Sequence, residues 1–156
     1  MRLKFLFAAA LSLSCGSAAL AQNDDAARDK MINDLLGHLE ACQNATGDTL
    51  ISTCEASMDK VIAVQPTINF VHELMLSYFV EASVRFDLAE AYLKPPTTNL
   101  PKHCENVEKL WATASYAKEY EQHPSYADIR ALADTKKKAV GACRQMGGTP
   151  PWGAPL

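Results

Sequence analysis

The sequence predicts an all-α fold: a five-helix bundle in which two helical hairpins pack around a long central helix and two disulfides staple the hairpins. Three observations carry that expectation. Residues 68–94 run for 27 positions without Gly or Pro, and Val71, Met75, Tyr78, Ala82, Phe86, Ala89 and Leu93 recur at steps of four or three, the spacing of one helix face. No stretch alternates polar and apolar residues with β-branched content, as a half-buried strand would. Cys42, Cys54, Cys104 and Cys143 fall where helical hairpins bring cysteines together in pairs.

The N-terminus opens with Met1-Arg2-Leu3-Lys4, passes through the apolar run Phe5 to Leu13 and turns small and polar up to Ala19-Leu20-Ala21. A basic start, a short apolar core and a small-x-small site make a secretory signal peptide, and this core is too short to span a bilayer. Cleavage is expected after Ala21, so residues 1–21 form the signal peptide, 22–148 a single helical domain and 149–156 an irregular Pro-rich tail containing Trp152. Ser12 stands where lipoprotein processing wants Leu, which argues against acylation at Cys15. No later stretch reaches about 18 consecutive apolar residues, so no integral membrane segment is expected after cleavage. The predicted location is periplasmic or secreted.

The first helix is read over Asp24 to Asn44, with Met31, Ile32, Leu35, Leu39 and Cys42 on one stripe and acids near its start, where the helix dipole favours them. Ala45-Thr46-Gly47 ends it. Asp48 is placed to cap a second helix carrying Leu50, Ile51, Cys54, Met58, Val61 and Ile62 inward, and Gln65-Pro66 stops that pattern. Thr67 is the expected cap of the central helix, whose four acids, Glu73, Glu81, Asp87 and Glu90, fall toward its polar side. Pro95-Pro96 forbids continuation, and three prolines between Pro95 and Pro101 predict a stiff, extended loop.

A fourth helix follows from about Lys102 to Glu121, with Val107, Leu110, Trp111, Ala114, Ala117 and Tyr120 inward, and Gln122-His123-Pro124 breaks it. Ser125 with Asp128 resembles a capping box opening the fifth helix, in which Tyr126, Ile129, Leu132, Ala133, Val140 and Cys143 face the core up to Gly147-Gly148. Lys136-Lys137-Lys138 is read as a solvated face of that helix.

Of the five cysteines, four remain once the leader with Cys15 is cleaved; an even count in an exported chain points to disulfides, and four cysteines allow three connectivities. Helical rise selects among them. Cys104 lies about 19 residues before the turn near His123 and Cys143 about 20 after, so antiparallel helices bring them level. Cys42 and Cys54 flank the first turn. The expected pairs are Cys42 with Cys54 and Cys104 with Cys143, the rival being a crossed pattern that joins the two hairpins.

Loss of the leader removes Arg2 and Lys4 but no acid, so 15 basic residues become 13 against 18 acidic, a net charge of −5. That sign argues against nucleic acid as a partner. His38 with Cys42 and His103 with Cys104 are two His/Cys pairs of metal-ligand type, but disulfide formation would consume both thiolates, so no metal site is expected. Haem attachment would need Cys-x-x-Cys-His, which is absent, and His72 or Met75 are the residues open to noncovalent ligation. No cofactor is predicted. Hydrolase signatures such as Gly-x-Ser-x-Gly and His-Glu-x-x-His are absent, so no catalytic residue is assigned and an enzyme is not expected.

Residues 77–94 followed by 105–120 loosely resemble a tetratricopeptide-type helix pair, with small residues at Ala82, Ala89 and Ala114, but no second copy recurs at the period of about 34 residues that such arrays use. The expectation is therefore a non-catalytic exported protein acting in protein–protein interaction or as a structural or inhibitory module, its partner another protein. The alternative is a small-ligand carrier or enzyme using a cleft between the central helix and the last hairpin.

Overall fold

The computed structural model describes residues 14–145, with side chains from residue 25 onward. The first part of the predicted leader and the tail at 149–156, Trp152 included, lie outside the described residues. Among the described residues six α-helices follow one another: α1 Ser14–Asn44, α2 Leu50–Val64, α3 Val71–Ala91, α4 Leu100–Ala117, α5 Pro124–Thr135 and α6 Lys137–Gln145. No strand occurs among the described residues, and none of their helices is long and apolar enough to cross a membrane. α1 is continuous through Ala21, where processing is expected.

The central helix separates two cores. Met75, Ala82 and Ala89 of α3 meet Val107, Leu110, Trp111 and Ala114 of α4, Ile129 and Ala133 of α5, and Val140 of α6. Val80, Val84 and Leu88 meet Leu35 and Cys42 of α1 and Cys54, Met58 and Val61 of α2. Alanines at 82, 89, 114 and 117 are fully buried and let the helices approach closely. Met75, Leu110 and Ile129 are also fully buried, and each such side chain stabilises the fold by about 1.5 to 3 kcal/mol. The expected stripe holds in its middle and fails at its ends: Val71 and Leu93 are 48% and 44% exposed because they overhang the packed length.

The disulfides are the two local pairs, Cys42–Cys54 and Cys104–Cys143. Each closes one end of a hairpin. Gly47, with φ 58°, turns the chain between α1 and α2, a conformation that glycine reaches without Cβ strain.

Several boundaries differ from the sequence expectation for local reasons. Asp48 lies inside a 3-10 turn, Gly47–Thr49, and does not cap α2. Thr67 does not cap α3 either: its hydroxyl donates back to the Val64 carbonyl at 2.7 Å, closing the end of α2, and α3 begins after Phe70 without a side-chain cap. The proline loop is a folded turn rather than an extended spacer. Its Pro95-Pro96 bond is cis, the Thr97 hydroxyl donates to the Lys94 and Ala91 carbonyls at 2.9 and 3.2 Å, and the Asn99 N–H reaches the Tyr92 carbonyl at 2.8 Å. Asn99 Oδ1 then accepts from the Lys102 N–H and caps α4.

The expected fifth helix is two. Lys136 leaves helical geometry at φ −97°, ψ 2°, one residue after Thr135 returns its hydroxyl to the Leu132 carbonyl. Lys136 is also not solvated with its neighbours, since its ammonium pairs with Glu90 and lies 4.6 Å from the centroid of the Phe86 ring. Ser125 and Asp128 form no capping box. The cap of α5 is His123, whose Nδ1 accepts from the Ser125 N–H at 3.3 Å.

Candidate functional site

Two hairpins on one central helix leave a groove where α2 and α4 both rest on α3 without closing over it. One half of the groove is lined by Glu55, Met58 and Asp59 of α2 with Lys102, Glu105 and Asn106 of α4, and measures about 300 Å³. The other half, about 430 Å³, is lined by Gln65, Tyr78, Thr113 and Tyr116. Ile62, Arg85 and Lys109 border both halves, so the two are continuous.

The floor is charged. Glu81 and Arg85, 8% and 5% exposed, stand one helical turn apart on α3. Arg85 Nε donates to Glu81 Oε1 at 2.8 Å, Gln65 Nε2 donates to Glu81 Oε2 at 2.8 Å, and Arg85 Nη1 approaches Asn106 Oδ1 at 3.5 Å. A buried ion pair is tolerated only when further polar partners satisfy it, which Gln65 and Asn106 do here. This corrects the expectation that the acids of α3 lie solvated on a polar side. α3 is enclosed by α1, α2, α4 and α5, so its polar side is covered as well.

Glu73 corrects that expectation further. It is 1% exposed, and Arg28 of α1 reaches its Oε1 through Nη2 at 2.6 Å and Nε at 2.7 Å. The Arg28 guanidinium also lies 4.4 Å from the Phe70 ring centroid. Burial pulls the Glu73 carboxyl upward, but the Arg28 hydrogen bond, its own backbone N–H and the Arg28 charge outweigh it and hold the group below its ordinary range.

On the α4 wall Glu105 accepts from Lys109 at 2.6 Å and lies 3.1 Å from the Lys102 ammonium. The Lys109 hydrogen bond, opposed by partial burial and aided by Lys102, lowers the Glu105 carboxyl. Both lysines of the wall are thereby engaged. The α2 wall is acidic: Glu55 accepts from the Tyr92 hydroxyl at 2.6 Å, and Asp59 has no ion-pair partner among the described residues. Burial, then the Glu55 contact, pushes the Tyr92 hydroxyl well above its usual value. Ile62 and Tyr116, 41% and 52% exposed, stand at the rim.

The residues singled out from sequence distribute as follows. Cys42, Cys54, Cys104 and Cys143 are all oxidised, so neither His38 with Cys42 nor His103 with Cys104 can offer a thiolate. His103 is buried, with Nδ1 2.7 Å from the Ala89 carbonyl. Met75 is sealed in the core, whereas His72 is exposed and meets His123 at 3.3 Å. Met75, Ala82, Val107, Leu110 and Ile129 pack the inner part of the space between the central helix and the last hairpin, where the alternative cleft was expected. The groove opens along the edge of that space, between α3 and α4 on one side and α2 on the other. Nothing in the sequence marked its floor, because Glu81 and Arg85 at i, i+4 read as an ordinary exposed helix pair. Comparison with models of protein families, with curated proteins and with solved structures finds no match for this chain.

Proposed function

We propose that the chain is an exported, non-catalytic module that binds a polypeptide segment of another protein in the groove between α2 and α4. The observation that carries this reading is the state of the groove's charges. Glu81 is paired with Arg85, and Glu105 with Lys102 and Lys109, so these groups shape a surface instead of standing free for proton transfer. Ile62 and Tyr116 at the rim offer apolar contact, and Glu55 and Asp59 leave the α2 wall acidic. The segment that fits has an apolar anchor beside a Lys or Arg. A carrier of small molecules buries most of its ligand, whereas this groove is open along its length. Export is supported by the three-part leader and by two disulfides in a small helical chain.

Site-specific photo-crosslinking tests the reading. A photoreactive residue at Ile62 should yield a discrete adduct with one protein, and the same residue at Leu36, exposed on α1, should not. Adducts of equal yield from both positions, or none from Ile62, would remove the groove from the account.

A further inference from the structure

His72 and His123 come from distant parts of the chain, one from the first turn of α3 and the other from the cap of α5. His72 Nδ1 stands 3.3 Å from His123 Nε2, with the ring centroids 5.4 Å apart and the planes inclined by 49°. Two imidazole nitrogens bound at 2.0 to 2.1 Å to a tetrahedral zinc lie about 3.3 to 3.4 Å apart, the edge of the tetrahedron, whereas a right-angled pair would sit at about 2.9 Å. We propose that His72 and His123 form a two-histidine site for Zn²⁺ that ties the start of the central helix to the last hairpin, with water in the remaining positions. No cluster of three or more His, Cys, Asp or Glu able to hold a metal occurs among the described residues, so these residues supply the ion with the two imidazoles alone.

Proton placement follows from the hydrogen bonds. His123 Nδ1 accepts from the Ser125 N–H at 3.3 Å, so without metal the neutral ring carries its proton on Nε2 and donates to His72 Nδ1, leaving the His72 proton on Nε2. Zinc takes His72 Nδ1 and His123 Nε2 in place of that shared proton. The His123 proton moves to Nδ1, and the Ser125 N–H gives up a long hydrogen bond and turns to water. Occupancy therefore has a local signature, loss of the α5 side-chain cap, beside its global one, a higher melting temperature from binding the folded form alone.

The test uses the untagged, disulfide-intact protein titrated with zinc sulfate. One ion should bind per chain, the melting temperature should rise, and the Ser125 amide resonance should move with those of the two rings. His72→Ala leaves the α5 cap in place and should weaken zinc binding by about tenfold or more, since one imidazole alone loses the chelate; His38→Ala should bind as the parent does. Zinc affinity unchanged by His72→Ala, or lost equally on His38→Ala, would overturn the site. His123→Ala adds a second check, with circular dichroism showing that its helices persist.

Discussion

Arg85 donates through Nε to Glu81 Oε1 at 2.8 Å one helical turn away, and this ion pair forms the floor of the groove with Gln65 and Asn106 as its remaining partners. Removing one member strands the other. Arg85→Ala should cost about 3 to 5 kcal/mol, the usual penalty for leaving a buried charge uncompensated. Replacing both by apolar residues, Glu81→Leu with Arg85→Met, should cost less than either single change. Denaturant unfolding of the three variants checks the order.

Acid should weaken the fold through Glu73. Its folded carboxyl titrates below its ordinary value near 4.5, so the unfolded chain binds the proton first. The stabilising contribution is fully present above that ordinary value and is lost as pH falls through the lower, folded one. Glu73→Gln should lower the melting temperature at neutral pH and flatten its decline below pH about 4.5. Melting temperatures between pH 3 and 6 read both effects.

His38 of α1 faces α2 near Lys60. Partial burial and then the Lys60 charge lower its imidazole below 6.5, with Asp34 opposing. Proton NMR should place its midpoint below 6.5, and Lys60→Gln should raise that midpoint while leaving the fold intact.

The two disulfides close loops of unequal length, with sequence separations of 12 and 39. Chain entropy assigns them about 3 and about 4 kcal/mol. Replacing Cys104 and Cys143 together by Ser should therefore destabilise the chain more than replacing Cys42 and Cys54, as midpoints of denaturant unfolding will show.

What could be read from the chain was what depends on local pattern. Helix periodicity, the stop at Pro95 and the pairing of cysteines across equal arms all rest on repeat distances a sequence carries explicitly. The buried acids did not come through, because Glu73 is paired through Oε1 with Arg28, 45 residues away, and Glu81 with a helix partner whose burial depends on four surrounding helices. The break at Lys136 was hidden for a similar reason. A run of three lysines reads as solvated surface, yet Lys136 pairs with Glu90 of α3 beneath it. Caps were misplaced where Thr67 and His123 took roles that the chain's order of residues does not distinguish from a neighbour's. The groove belongs to none of these patterns, since it exists only where two helices diverge over a third.

Binding in that groove is most directly measured by the affinity of the protein captured through Ile62 for two charge variants of this chain. Ile62→Asp should weaken the complex by tenfold or more, about 1.4 kcal/mol, while Leu36→Asp, an equally exposed position on α1, should bind as the parent does. Parental affinity in Ile62→Asp, or equal loss in both variants, would contradict the account.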